Sequence, residues 1–168
     1  MTDIIVTTPK NKMDDAAMEA FVCRAAGGGY YFRRFSTRVK IEPGEKVIYV
    51  EDGFIRGYAL VDHFLELEKS MVCEATGQEY QAGYFLFILA QSWKWIEPIS
   101  MTGFQGFRYS KLKPDQLKII GDWQDPKPPL KFLCNVCKET FTKGFEVRHR
   151  FCFGAEFTFS YTKTGKTK

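Results

Sequence analysis

Residues 46–62, KVIYVEDGFIRGYALVD, constrain the fold more than any other stretch. Valine, isoleucine, tyrosine and phenylalanine fill two arms, and Asp52-Gly53 stands between them. Asp-Gly flanked by such runs signals a β-hairpin. A second turn signal, Glu42-Pro43-Gly44-Glu45, comes just before it. The functional question is which surface this hairpin helps to build. The chain's 168 residues suffice for one full core and a small appended module.

Aromatic residues make up 16% of the chain, with 16 Phe, 8 Tyr and 3 Trp. Aromatic side chains fill strand-rich cores, and in loops they also offer stacking surfaces for bases. The formal net charge is +4, from 24 Lys+Arg against 20 Asp+Glu. That permits contact with a polyanion without demanding it. Much of the excess lies in the C-terminal tail and around Arg33, Arg34, Arg38 and Lys40. No run is long and apolar enough to span a membrane, and the start, MTDIIVTTPKNK, lacks the pattern of a signal peptide. The expected setting is intracellular and cytoplasmic, with no membrane partner. In such a reducing setting, five cysteines, an odd number, do not suggest a disulfide framework.

Residues 3–8, DIIVTT, read as a short strand. Residues 13–26, MDDAAMEAFVCRAA, read as a helix with Asp14 and Asp15 at its start, where acids suit the helix dipole. Gly27-Gly28-Gly29 ends it as a flexible cap. A phosphate loop would precede a helix and need a following Lys-Ser/Thr. Tyr30-Tyr31-Phe32-Arg33-Arg34-Phe35 then reads as a strand or extended arm whose arginines either meet phosphate or form a solvated edge. Residues 63–80 are mixed, with a candidate short helix, and His63 reads as structural or solvated.

The most apolar stretch, residues 82–95, AGYFLFILAQSWKW, reads as a central strand carrying Tyr84 near its start. Trp93 and Trp95, two residues apart, share a face of such a strand. Beside Lys94 they either line a pocket or cap the core. In residues 101–109, MTGFQGFRY, Gly103 and Gly106 flank Phe104-Gln105. Gln105 has the groups to read a base edge, and Arg108 suits a phosphate or a base plane. Residues 113–120, KPDQLKII, suggest a short helix with Pro114 at its first position. Residues 122–129, DWQDPKPP, form a proline-rich linker. They divide a first domain, 1–121, from a β-rich extension, 130–162, and a basic tail, 163–168.

The extension holds Cys134 and Cys137 as a Cys-x-x-Cys pair, then His149 and Cys152 as a His-x-x-Cys pair, with eleven residues between Cys137 and His149. Zinc takes four such ligands tetrahedrally, and four protein ligands make a site structural. The set resembles a two-Cys/two-His zinc finger whose last histidine is cysteine. The loop is one residue short of the family's minimum of about twelve, and the last pair is closer than about three residues. The segment from Phe145 to Phe153 also alternates like a strand, which puts His149 and Cys152 on opposite sides. The alternative is that the three cysteines are plain core residues.

Taken in order, the starting strand, the helix, the arginine-rich stretch and IEPGEKVIYVEDGFIRGYALVD resemble the PUA-like superfamily, its ASCH and EVE branches in particular. The phrases are Pro43-Gly44-Glu45-Lys46-Val47 and Ile55-Arg56-Gly57-Tyr58-Ala59-Leu60-Val61. GFQGFRY, residues 103–109, is similar to a phrase late in ASCH-like domains. The resemblance covers residues 1–121. It implies an α+β fold: a small PUA-like mixed β-barrel with one or two helices and a cleft that takes RNA, DNA or one modified base. In the EVE and YTH branches a flipped base sits in an aromatic cage, a role that residue type would give to Tyr84, Trp93 and Trp95. Some ASCH proteins are amidohydrolases with a G-x-K-x-x-E-x-R signature. Counted from Gly27, its lysine falls on Gly29, its glutamate on Phe32 and its arginine on Arg34, so lysine and glutamate are missing. Three functions follow: a nucleic-acid-binding domain using Arg33, Arg34, Lys94, Gln105, Arg108 and the aromatic residues, an enzyme on a nucleobase using Lys46 or Lys94 with Glu45 or Glu97, and a zinc-stabilised interaction module. Metal analysis of the purified protein separates the readings of the extension: the finger-like set predicts about one zinc per chain, and the cysteine-core reading predicts none.

Overall fold

The structure is a computed structural model of the chain and describes residues 2–8, 29–72, 77, 79–134, 140–142 and 157–159. The chain separates into two compact units, Met1–Asp125 and Pro126–Lys168. In chain order the described strands of the first unit are β1 (Ile4–Thr7), β2 (Tyr30–Phe35), β3 (Lys46–Glu51), β4 (Phe54–Leu67), β5 (Met71–Val72), β6 (Glu79–Tyr80), β7 (Gly83–Leu89), β8 (Lys94–Ser100), β9 (Phe107–Tyr109) and β10 (Ile119–Asp122). β5 and β6 pair with each other. The other eight form one mixed sheet ordered β10-β8-β4-β3-β1-β9, with β7 also on β4 and β2 outside β7.

The hairpin β3–β4 turns at Asp52 and Gly53, whose φ values are 55° and 82°. Positive φ at both central residues matches the twist of flanking strands, which is why Asp-Gly serves here. β1 lies parallel to β3, with Ile4 opposite Val47 and Val6 opposite Tyr49. Asp3 fixes that register: its carboxylate accepts the Lys46 backbone N–H at 2.8 Å and meets the Lys46 ammonium at 3.5 Å. Ile4, Ile5 and Val6 are all buried, because β1 has a hydrophobic layer on each face. One layer holds Ile4, Val6, Val47, Tyr49, Leu86, Ile88, Trp93 and Trp95. The other holds Ile5, Ile48, Val50, Ile55, Tyr58, Ile96 and Leu117.

β4 is the longest strand, with 14 residues, and is paired on both sides. Its first half pairs with β3 and β8, and its second half pairs with β7. β7 and β8 therefore run along one edge of β4, interrupted by a 3₁₀ turn at Ala90–Ser92. The interruption leaves the Leu60 N–H without a strand carbonyl. The Ser92 hydroxyl accepts it at 2.7 Å and donates to the Leu89 carbonyl at 2.6 Å. Gly57 lies opposite the same junction: a Cβ there would stand 2.6 Å from the Lys94 carbonyl oxygen and 2.7 Å from the Trp93 ring.

The described fold is mainly β and not clearly the α+β fold expected. Among the described residues helix is confined to 3₁₀ turns at Ala90–Ser92 and Pro114–Gln116, and none is long and apolar enough to cross a membrane. The helix expected over 13–26 lies outside the described residues. The helix expected over 113–120 is one 3₁₀ turn followed by β10, because Ile119 and Gly121 pair with β8. The central strand expected over 82–95 is two strands, and the polar stretch after His63 continues β4. Among the described residues the sheet is not closed into a barrel. Phe35 on β2 and Phe107 on β9 meet as rings, 5.4 Å between centroids, without ladder pairing among the described residues.

In the second unit β11 (Lys131–Cys134) lies between β12 (Thr140–Thr142) and β13 (Phe157–Phe159), all antiparallel, with Phe132 opposite Phe141 and Phe159.

Gly57→Ala is expected to cost about 1–3 kcal/mol by overpacking. Ser92→Ala is expected to cost about 1–3 kcal/mol by stranding the Leu60 N–H. Denaturant midpoints equal to wild type would contradict both.

Candidate functional site

Trp93 and Trp95 share one side of the sheet, as their spacing requires, with rings perpendicular at 5.1 Å. Tyr49 packs on Trp93 at 5.1 Å, and the Tyr31 and Tyr49 hydroxyls bond at 2.7 Å. The Arg33 guanidinium lies 4.9 Å from the centre of the Tyr49 ring. Arg33, Trp93 and Trp95 are thus brought into one neighbourhood, but both tryptophans are 0% exposed. They are core rather than the walls of an open cage, because Gly57 lets β4 press directly on Trp93. The Trp95 indole N–H donates to the Asp125 carbonyl at 3.3 Å. Tyr84 is half-buried at the edge of this layer, stacked on Phe64 at 5.8 Å.

Other candidates serve the scaffold. Arg34 points away from Arg33 along β2 and donates to the carbonyls of Gln81 and Ala82 at 2.8 Å and 2.7 Å. The following Gly83, at φ 152°, leaves room for that guanidinium: a Cβ would stand 3.1 Å from its Nε. Lys94 projects from β8 to the side opposite the tryptophans, in register with Tyr58. Lys46 pairs with Asp3 and lies 5.8 Å over the Tyr58 ring. Glu97 faces Lys118 at 3.5 Å. Glu45 accepts backbone N–H groups from Glu42 and Thr2. Burial pushes its carboxyl up, but those hydrogen bonds outweigh it and the net shift is downward. Lys46, Glu45 and Glu97 thus each have a partner in the scaffold. His63 bonds Asp62 at 2.7 Å and stacks on Phe87 at 4.4 Å.

Gln105 and Arg108 occupy a different surface, at the β9 edge of the sheet. The loop before β9 is anchored where Thr7 Oγ1 accepts the Phe104 N–H at 3.0 Å. Gly103 lies on the Thr7 methyl, and Gly106, at φ 78°, turns the chain into β9. Arg108 is exposed, its guanidinium 4.3 Å from the centre of the Phe104 ring. Tyr109, 44% exposed, accepts the Lys40 backbone N–H on its hydroxyl at 3.2 Å. That bond ties residues 36–41 to β9. Residues 36–41 and 104–113 together hold Arg38, Lys40, Arg108, Lys111 and Lys113 and no Asp or Glu. All five basic side chains belong to exposed residues. Arg108 and Tyr109 leave β9 on opposite faces. The sheet edge is thin against a Debye length of about 8 Å, so charge on both sides adds into one positive field.

The sequence reading reached Gln105 and Arg108 and noted Arg38 and Lys40 only as part of the charge excess. It missed Tyr109, Lys111 and Lys113 as members of one surface. The available signal was the absence of acids from STRVKI and FQGFRYSKLK, two segments that chain position alone does not join. Of the expected zinc ligands, Cys134 ends β11, while Cys137, His149 and Cys152 lie outside the described residues. Among the described residues no cluster of three metal-ligating side chains occurs.

No family model matches the chain, and no curated protein and no solved structure matches it either.

The Tyr58 hydroxyl is pushed above its ordinary value of 10.0, first by burial and then by the Asp3 carboxylate. The folded state therefore holds this proton more tightly than the unfolded chain. The resulting stability is complete below the ordinary value and is lost as pH climbs through the folded one. A phenolate absorbance titration should show a late step that Tyr58→Phe reduces by one tyrosine. An unchanged late step in the variant would refute this.

Proposed function

We propose that the first unit binds nucleic acid along its β9 edge, with residues 36–41 and 104–113 as the contact surface. The observation that carries this reading is the pair of basic segments, each without Asp or Glu, joined by the Lys40–Tyr109 hydrogen bond. Lys and Arg side chains neutralise phosphates and release counterions, which supplies sequence-independent affinity. Arg108 is suited to a phosphate oxygen because its plane is already supported by Phe104. Gln105, exposed on the loop between two glycines, supplies a donor and an acceptor for a base edge. The resemblance of residues 1–121 to PUA-like domains supports the same class of ligand. The burial of Trp93 and Trp95 favours this edge over the core as the surface for base contact.

Fluorescence anisotropy with labelled RNA and DNA oligonucleotides tests the reading. Affinity should fall steeply with salt, the logarithm of the binding constant declining by about 0.7 to 0.9 per phosphate contacted for each unit of log salt. The double variant Lys40→Glu/Arg108→Glu should weaken binding at least about tenfold and lower that slope by about two contacts. Binding that ignores salt, or that survives the double variant unchanged, would refute the β9 edge. Inorganic polyphosphate competing as well as an oligonucleotide of equal charge would reduce the site to a general polyanion surface.

A further inference from the structure

We infer that the β9 edge takes a single strand and that one unpaired base stacks on Tyr109; this rests on the nucleic-acid reading above. Tyr109 is 44% exposed although it lies on a strand of the main sheet. Its ring is held from two directions. Phe107 packs edge-on at 5.5 Å, and the hydroxyl accepts the Lys40 N–H at 3.2 Å. A ring fixed in this way loses little freedom when a ligand arrives, so its open face acts as a preorganised platform. The same hydrogen bond places the backbone of Lys40 beside the ring, with Arg38 two residues earlier on that exposed loop. A base on the ring therefore leaves its phosphates within the basic field.

Duplex geometry does not suit this surface. Paired bases hide their faces, and reading the major groove takes a helix or a two-stranded ribbon. β9 offers three residues at a sheet edge. An aromatic ring beside basic side chains is the arrangement that binds unpaired bases by their π-faces, without regard to sequence. Arg108, on the opposite face of β9 and supported by Phe104, supplies a second planar group that straddles the edge.

The test compares Tyr109→Phe, Tyr109→Leu and Tyr109→Ala with the wild-type full-length chain, using one single-stranded oligonucleotide and its duplex. Tyr109→Phe keeps the π-face but loses the hydroxyl that holds Lys40, so it should bind more weakly than wild type and more tightly than the two variants without a ring. Tyr109→Leu keeps apolar bulk but has no π-face, and Tyr109→Ala has neither. Both should lose about five- to a hundredfold in single-strand affinity with the salt slope unchanged. The wild-type duplex should bind at least about tenfold more weakly than the single strand. Circular dichroism of each variant identifies any loss due to unfolding, and Tyr109→Leu guards against that outcome at Tyr109→Ala. If all three variants match wild type while Lys40→Glu/Arg108→Glu loses binding, the stacking inference is overturned and the phosphate surface stands. Equal binding of duplex and single strand also overturns it. If the wild-type chain shows no salt-dependent binding, both fall.

Discussion

The double pairing of β4 is the constraint on which the rest of the first unit depends. A strand of 14 residues with partners on each side organises every other strand of the sheet. On one side it carries β3, then β1, then β9. On the other it carries β8 and β10 along its first half, and β7 and β2 along its second. The change of partner from β8 to β7 breaks the ladder at Leu60, and Ser92 repairs it with a hydroxyl that accepts and donates at once. A buried N–H left without an acceptor costs about 1–3 kcal/mol, so this one side chain keeps two halves of a sheet on one strand.

That arrangement also decides where chemistry is found. The large aromatic residues near the sheet centre are consumed by packing: Trp93, Trp95, Tyr31 and Tyr49 are fully or almost fully buried. Gly57 permits the approach that closes this layer. Polar and basic groups reach solvent where the sheet ends, and β9 is such an end. The loop at residues 36–41 comes to the same edge because β2 and β3 occupy opposite arms of the sheet, and the link between them must travel around it. Residues more than sixty positions apart in sequence thereby form one positive surface, pinned by a single backbone-to-hydroxyl bond.

The hairpin at Lys46–Leu60 was legible because turn chemistry and strand composition agree there, and both are local. The first strand, and the strand after Gly29, were legible for the same reason. The continuation of β4 through His63–Leu67 was not. Its outer half is paired on one side and partly solvated, so its residues carry too little apolar pattern to announce a strand. The stretch from Gly83 to Trp95 reads as one strand because Tyr84–Ala90 is an unbroken apolar run and two tryptophans follow it, whereas the 3₁₀ turn at Ala90–Ser92 divides it into two strands. The tryptophan pair had the right shared face, but burial depends on Gly57, which lies on another strand. The basic surface was legible in halves, since Arg38 and Lys40 belong to one basic stretch and Arg108 to another, and only the fold joins them. The expectations for the helix at 13–26 and for Cys137, His149 and Cys152 lie outside the described residues.

Mapping backbone amide shifts by NMR while a single-stranded oligonucleotide is titrated tests the central claim most directly. The largest shifts should fall within residues 36–41 and 104–113, with Tyr109, Lys40 and Arg108 among them. Shifts centred on Tyr30, His63 and Phe87, or on the layer around Trp93, would contradict the assignment of the β9 edge.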